Sequence, residues 1–196
     1  MKKQTKKTKV ATKKEPELLK IDLGCGPNPR EGFVGVDMFP MKGVDIVCNL
    51  AAKKWPFKDN SVDEAHASHF IEHLTNLNDK WERTHFFNEL HRVMKKGAKA
   101  TLIFPHWCST RYYGDPTHKE PFSEMGFQYL LKEWRMSQAP HADAQWQKGG
   151  YTCDFDVTYG YSLRQDLQSR NQEYQMNALS TQKEAAQDII ATLVKR

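Results

Sequence analysis

The stretch Ile21-Asp22-Leu23-Gly24-Cys25-Gly26-Pro27-Asn28 decides the fold. An apolar run from Leu18 to Leu23 stops at Gly24, the pattern of a short buried strand closed by a turn. A strand that ends in Gly-x-Gly turns with no side chain in the way, so a flat or polar ligand can lie against bare backbone. Asn28 follows as the non-glycine residue that best tolerates a left-handed conformation. Phe33-Val34-Gly35-Val36 reads as a second strand ending at Asp37. A carboxylate there can accept hydrogen bonds from both hydroxyls of an adenosine ribose. Dinucleotide binding asks for Gly-x-Gly-x-x-Gly at the start of a helix, with the pyrophosphate on its N-terminus. Here Pro29 holds the third glycine position, and only 12 residues lie between Gly24 and Asp37. That is too few for a crossover helix and a strand. An adenosyl cofactor without phosphates fits better.

Working outward, Val44 to Val47 and Val62 to Ser68 read as a third and a fourth strand. Phe86, Phe87, Leu90, Val93 and Met94 then form one apolar stripe at helical spacing. Asp79 with Glu82 resembles a capping box at the start of that helix, Lys95 and Lys96 suit its negative end, and Gly97 its C′ position. Ala100 to Phe104 is a continuous apolar run, as expected of a central parallel strand, and Pro105 ends it. Residues 106–122 read as a long loop and 123–134 as a short helix. Asp154 to Leu163 reads as a strand, 165–186 as polar and helix-compatible, and Asp188 to Lys195 as a last strand in preference to the end of that helix. Strands alternating with helices predict an α/β fold with a mostly parallel, doubly wound sheet and helices on both faces.

The net charge of +5 belongs to one end. Residues 1–14 hold seven lysines and no acid, and without them the chain has 22 basic and 24 acidic residues. Residues 1–16 are expected to be a disordered basic tail and 17–196 a single domain. The tail could hold an anionic surface by counterion release, but a solvated end is the preferred reading. Nucleic acid is therefore expected as a partner only through the tail. No apolar run suits a bilayer or a secretory signal, so no membrane insertion and a cytoplasmic location are expected. Cys25, Cys48, Cys108 and Cys153 are scattered without a Cys-x-x-Cys pair, which argues for free, buried or half-buried thiols.

The glycine turn, Gly35-Val36-Asp37, Asn49-Leu50, Trp55-Pro56-Phe57, Asn60-Ser61-Val62-Asp63, Glu72-His73-Leu74, Glu89-Leu90-His91-Arg92-Val93-Met94-Lys95 and Gly97 occur in an order that resembles class I S-adenosylmethionine-dependent methyltransferases of the type 11 group, over roughly residues 18–106. The resemblance implies a Rossmann-like methyltransferase fold with an antiparallel last strand. It implies S-adenosyl-L-methionine as cofactor, with Gly24 and Gly26 at the methionine moiety and Asp37 on the ribose. Asp22, Cys25, Met38, Leu50, Ser68 and His69 complete the expected cofactor set. Asn49 stands where the family usually has Asp facing the adenine amino group. The missing first crossover helix is shared with a short-loop subgroup.

A base is needed if the methyl acceptor is a hydroxyl or protonated amine, and histidine suits neutral pH. His106 and His118, in the segment after the fifth strand, are the first candidates, with His73 and His69 second. Trp107, Tyr112 or Tyr113 could face the sulfonium. The expected substrate is a small molecule, because the body is slightly acidic and no Asn-Pro-Pro-Tyr-like motif or Pro-Cys pair is present. Two rival readings remain. His69-Phe70-Ile71-Glu72-His73 fits the His-x-x-Glu-His pattern of zinc peptidases, which requires a well-formed helix. Alternatively the fold binds cofactor without catalysis, as a partner subunit. No metal is expected in the preferred reading.

Overall fold

Seven short apolar segments form the strands: β1 (Lys20–Leu23), β2 (Val34–Asp37), β3 (Ile46–Val47), β4 (Val62–Ser68), β5 (Met94–Pro105), β6 (Phe155–Leu163) and β7 (Ala186–Lys195). They make one sheet in the order β3-β2-β1-β4-β5-β7-β6 in a computed structural model that describes residues 18–196. The expectation of a basic tail over 1–16 lies outside the described residues. Strands β3, β2, β1, β4 and β5 run parallel; β7 runs antiparallel to both β5 and β6. The order reverses at β1, between β2 and β4. In open α/β sheets such a switch point opens a crevice at the carboxyl ends of the strands.

The register gives the sheet two unlike faces. Ile21, Ala65, Ala100 and Leu193 stand in one cross-strand row, all buried. The neighbouring row is Asp22, His66, Thr101, Thr192 and Thr158. Helix α1 (Glu82–Val93) joins the core of the apolar face through Phe86, Phe87, Leu90 and Val93, each fully buried. Each such side chain contributes roughly 1.5–3 kcal/mol by leaving water. On the polar face, Phe33 of the shortened first connection sets its ring edge-on to His66. Further along that face Thr158 is exposed, Thr101 and Thr192 are half-buried, and Ile190 is exposed.

The start of α1 departs from expectation. Asp79 and Trp81 are left-handed, at φ 60° and 51°, and Trp81 is the N-cap without a side-chain cap bond. Glu82 instead accepts hydrogen bonds from the Thr75 amide and Lys119 Nζ, so it ties the helix to the segment after β4. Nor is Gly97 the C′ residue. The chain passes from Val93 straight into β5 at Met94, and Gly97, at φ 77°, lies inside that strand, where pairing with β4 shifts register. Arg92 closes the far end of α1 with bonds to Glu89, Asp59 and the carbonyls of Trp55 and Phe57. The Trp55-Pro56-Phe57 and Glu89-to-Arg92 motifs are thus one structural clasp.

The segment 106–122 contains a short helix, α2 (Thr110–Tyr113). Residues 123–134 divide between a 3-10 helix (Glu124–Leu130) and α3 (Lys132–Gln138). The helix-compatible stretch before β7 forms α4 (Gln165–Gln168) and α5 (Gln172–Thr181). The four cysteines are free, with Cys48 and Cys153 buried.

Candidate active site

Gly24 and Gly26 adopt φ of 68° and 56°, which a side chain would resist. The Gly24 and Cys25 amides both donate to the Val36 carbonyl, locking the end of β1 to β2. Asp37 closes the turn from the other side. Its Oδ2 accepts from the Gly26 amide at 3.0 Å and its Oδ1 from the Phe39 amide at 3.1 Å. Each oxygen keeps a lone pair for a further donor. A Cβ on Gly26 would meet nothing within 4 Å, so that backbone faces open space. A Cβ on Gly24 would lie 2.3 Å from Phe70 Cδ2, so the Phe70 ring packs directly on that glycine. Beside them a cavity of about 170 Å³ is lined by Met38, Cys48, Asn49, Leu50, Phe70 and His73, among others. Asn49 Oδ1 accepts from the Ala51 amide at 3.0 Å.

Asp22 and Cys25 serve the turn from behind. Asp22 is 4% exposed; its Oδ1 bonds His66 Nδ1 at 2.7 Å and its Oδ2 accepts from the Arg30 amide at 2.8 Å. Burial, then the nearby Asp22 and Asp37 carboxylates, push the Cys25 thiol up to about 11, which keeps it protonated at neutral pH.

Three of the four candidate histidines meet. His69, left-handed at φ 53°, directly follows β4, and its amide donates to the Ile103 carbonyl. Its Nδ1 lies 3.4 Å from Glu72 Oε1. Glu72 raises the His69 pKa above its ordinary value, first by hydrogen bonding, against burial. His118 Nε2 stands 3.9 Å from the same oxygen, and the His73 and His118 rings meet edge to face at 4.8 Å. His106 stands apart with both ring nitrogens engaged: Nε2 with Glu124 at 3.1 Å, and Nδ1 with the Cys108 amide at 3.1 Å. Glu124 also accepts from Tyr161 and Trp107. Burial alone would raise Glu124, but these bonds and one from its own backbone outweigh it and hold the carboxyl at about 2. Tyr112 is buried and its ring tilts against His118, while Tyr113 is exposed. The His69-to-His73 segment is no α-helix: only Ile71–His73 forms a 3-10 turn. The zinc-peptidase pattern therefore lacks the context it requires.

Residues 30–102 match a family model described as a methyltransferase domain. That span begins just after the glycine turn, which the fold supplies at the expected place. Over that span the chain is similar to methyltransferase domains. Its fold is similar to that of a SAM-dependent methyltransferase from Archaeoglobus fulgidus, with TM-score 0.61 and 18% identity over 93% of this chain and 87% of that one. An S-adenosylmethionine-dependent methyltransferase from Mesorhizobium loti gives TM-score 0.54 at 13% identity, over 92% and 93% of the two chains. A geranyl diphosphate C-methyltransferase from Streptomyces coelicolor, solved with S-adenosyl-L-homocysteine, gives 0.53 at 13%, over 92% and 73%. No curated protein sequence matches the chain.

S-adenosylmethionine is the cofactor of methyltransferase domains of this kind, and the residues present suit it. Gly26 offers open backbone, the Asp37 carboxylate has lone pairs to spare, and an apolar cavity lies beside Asn49, which are the kinds of surface an adenosyl group and its sugar require. Among the described residues no helix is long and apolar enough to cross a membrane.

Two residues escaped the sequence reading. His66 received no role, yet it pairs with Asp22 across β1 and β4; the signal is the Asp22–His66 register, invisible until the strands are aligned. Phe70, rather than Trp107, Tyr112 or Tyr113, takes the aromatic position. It is the aromatic ring that touches the glycine turn.

Proposed function

We propose that this chain is an active methyltransferase that passes the methyl group of S-adenosylmethionine directly to a small-molecule acceptor. One observation carries the reading: open glycine backbone and the Asp37 carboxylate sit together at the switch point, and His73 lines the cavity beside them with Met38, Asn49 and Phe70. The bound sulfonium supplies an electrophilic methyl carbon and a neutral thioether leaving group. Alignment is the protein's task, and it can contribute several kcal/mol, on the order of 7–11 at best.

In this reading Gly24 and Gly26 border the methionine portion, Asp37 holds the ribose, and Met38, Asn49 and Leu50 hold the adenine. Ser68 and His69 close the floor at the end of β4. Asp22 and Cys25 act through the turn they brace. Phe70 takes the aromatic role beside the sulfonium. A histidine of the Glu72 cluster, His69, His73 or His118, accepts the proton of a hydroxyl or ammonium acceptor. His106, with both nitrogens bonded, holds the segment after β5 in place.

Calorimetric titration with S-adenosylmethionine and S-adenosylhomocysteine tests the reading. Micromolar-range binding that Asp37→Ala weakens by about 10- to 100-fold is the expected result, since a charge-assisted hydrogen bond contributes roughly 1.5–3 kcal/mol. Absence of binding in the folded wild-type chain would refute it. With cofactor bound, His69→Ala, His73→Ala and His118→Ala are expected to separate the base, which lowers turnover while leaving cofactor affinity nearly intact.

A further inference from the structure

Glu72 is 2% exposed, and apart from the 3.4 Å approach of His69 Nδ1 to Oε1 neither carboxylate oxygen has a hydrogen-bond partner among the described residues. A buried carboxylate without compensation is costly. The neighbouring cations do not supply it. Arg83 directs Nη2 at the carbonyls of Leu74 and Glu120 while its buried Nε makes no hydrogen bond, and Lys119 pairs with Glu82. What does face Glu72 is imidazole: one ligand atom from each of Glu72, His73 and His118 lies within 4.8 Å of the others.

The tautomers point the same way. His118 Nδ1 donates to the Tyr112 carbonyl at 2.6 Å, which leaves Nε2 as a lone-pair donor, 3.9 Å from Glu72 Oε1. His73 Nδ1 stands 3.3 Å from the Thr117 carbonyl, to which it can donate in the same way. A histidine whose second nitrogen donates to a backbone carbonyl is the usual arrangement for a metal ligand. Tetrahedral zinc holds such ligands at about 2.0–2.2 Å and so about 3.3–3.5 Å from one another. His73 is half-buried, and cation binding would have to draw the three groups in from their present spacing of up to 4.8 Å.

We infer that Glu72, His73 and His118 form a binding site for a divalent transition cation of the zinc class. Two imidazoles and one carboxylate are a donor set suited to that class, and three protein ligands leave a position open. Asp115 Oδ2, 3.8 Å from His118 Nε2 on a half-exposed side chain, borders the site. This differs from the His-x-x-Glu-His peptidase arrangement: Glu72 is a ligand, and the second histidine comes from the segment after β5. With His73 and His118 committed to the cation, His69 becomes the base in the methyl-transfer reading. Cation uptake is measured without cofactor, so its failure leaves that reading standing.

The test uses the full, tag-free chain stripped with chelator, titrated with Zn²⁺ by calorimetry and with Co²⁺ by visible absorption. One equivalent is expected, with the d–d bands of low-coordinate cobalt. Glu72→Gln and His118→Ala should each weaken uptake at least about 10-fold, while the surface control His141→Ala leaves it unchanged. X-ray absorption of zinc-loaded wild type, which needs no variant to fold, should show imidazole and oxygen neighbours and no sulfur. No stoichiometric uptake by wild type, uptake that survives Glu72→Gln and His118→Ala, or sulfur around the zinc would each overturn the site.

Discussion

The connection after β1 and the segment after β5 both line the carboxyl edge of the sheet, but they are built differently. Residues 24–33 are held by neighbours: Gly26 by Asp37, Arg30 by Asp22, Gly24 by Val36. Residues 106–122 are held from far along the chain: His106 by Glu124, Arg111 by Asp188, Thr110 by Glu184, His118 beside Glu72. The first is a local device, in which a few residue types at fixed spacing dictate the geometry. The second exists only after the sheet has assembled. The difference teaches where point changes act: locally in the first, and through tertiary pairing in the second.

The largest effect is expected just beyond the second region, where residues 129–153 are pinned by buried pairing of the same kind. Arg135 is fully buried and bonds Asp143, with further bonds to the Tyr129 and Cys153 carbonyls. Asp143→Ala leaves a buried guanidinium without its counter-ion and should cost about 3–5 kcal/mol in urea denaturation. A loss below about 1 kcal/mol would break the claim that buried pairing organises this half. Next comes Gly24→Ala, which combines φ 68° with a collision against Phe70. About 2–3 kcal/mol of stability should go, together with cofactor binding. Adding Phe70→Ala should recover the steric part, so additive losses in a double-mutant cycle would refute the contact.

A smaller effect concerns pH. Burial, helped by Lys195, lowers the His91 pKa from 6.5 to about 4, and its ring meets Phe155 edge to face. Between those values the unfolded chain binds a proton that the folded chain refuses. Stability should therefore fall as pH drops from 6.5 toward 4, by roughly 1–2 kcal/mol after allowance for partial exposure. His91→Gln should flatten that part of the profile; an unchanged slope would assign it to other groups. The smallest change expected is Asn49→Asp. Restoring the family's usual carboxylate beside the adenine slot should tighten S-adenosylhomocysteine by about five-fold, roughly 1 kcal/mol. Unchanged affinity would mean that Asn49 serves only its bond to Ala51.

The same contrast explains what could be read from the sequence. The strand pattern, the glycine turn, the early Asp37 and the final strand over Asp188 to Lys195 are all legible, because periodicity and turn chemistry act over a few residues. The N-terminus of α1 was not. Asp79 and Glu82 have capping-box spacing, but Glu82 is drawn to Thr75 and Lys119, and a left-handed Trp81 starts the helix. Among the histidines the sequence ranked His106 beside His118 because both follow the fifth strand. Only the three-dimensional pairing with Glu124 separates them. Residues 30–102 carry the family pattern, while the segment after β5 owes its shape to contacts that no local window contains.

The threonine row across β5, β7 and β6 has a consequence for engineering. Many parallel sheets bury both faces under helices, but Thr101, Thr192 and Thr158 would present hydroxyls where an incoming helix needs apolar contact. A helix laid across β5, β7 and β6 on that face would therefore gain little adhesion. The row would first have to be rewritten in valine and isoleucine before that face could carry such a helix in a redesigned scaffold.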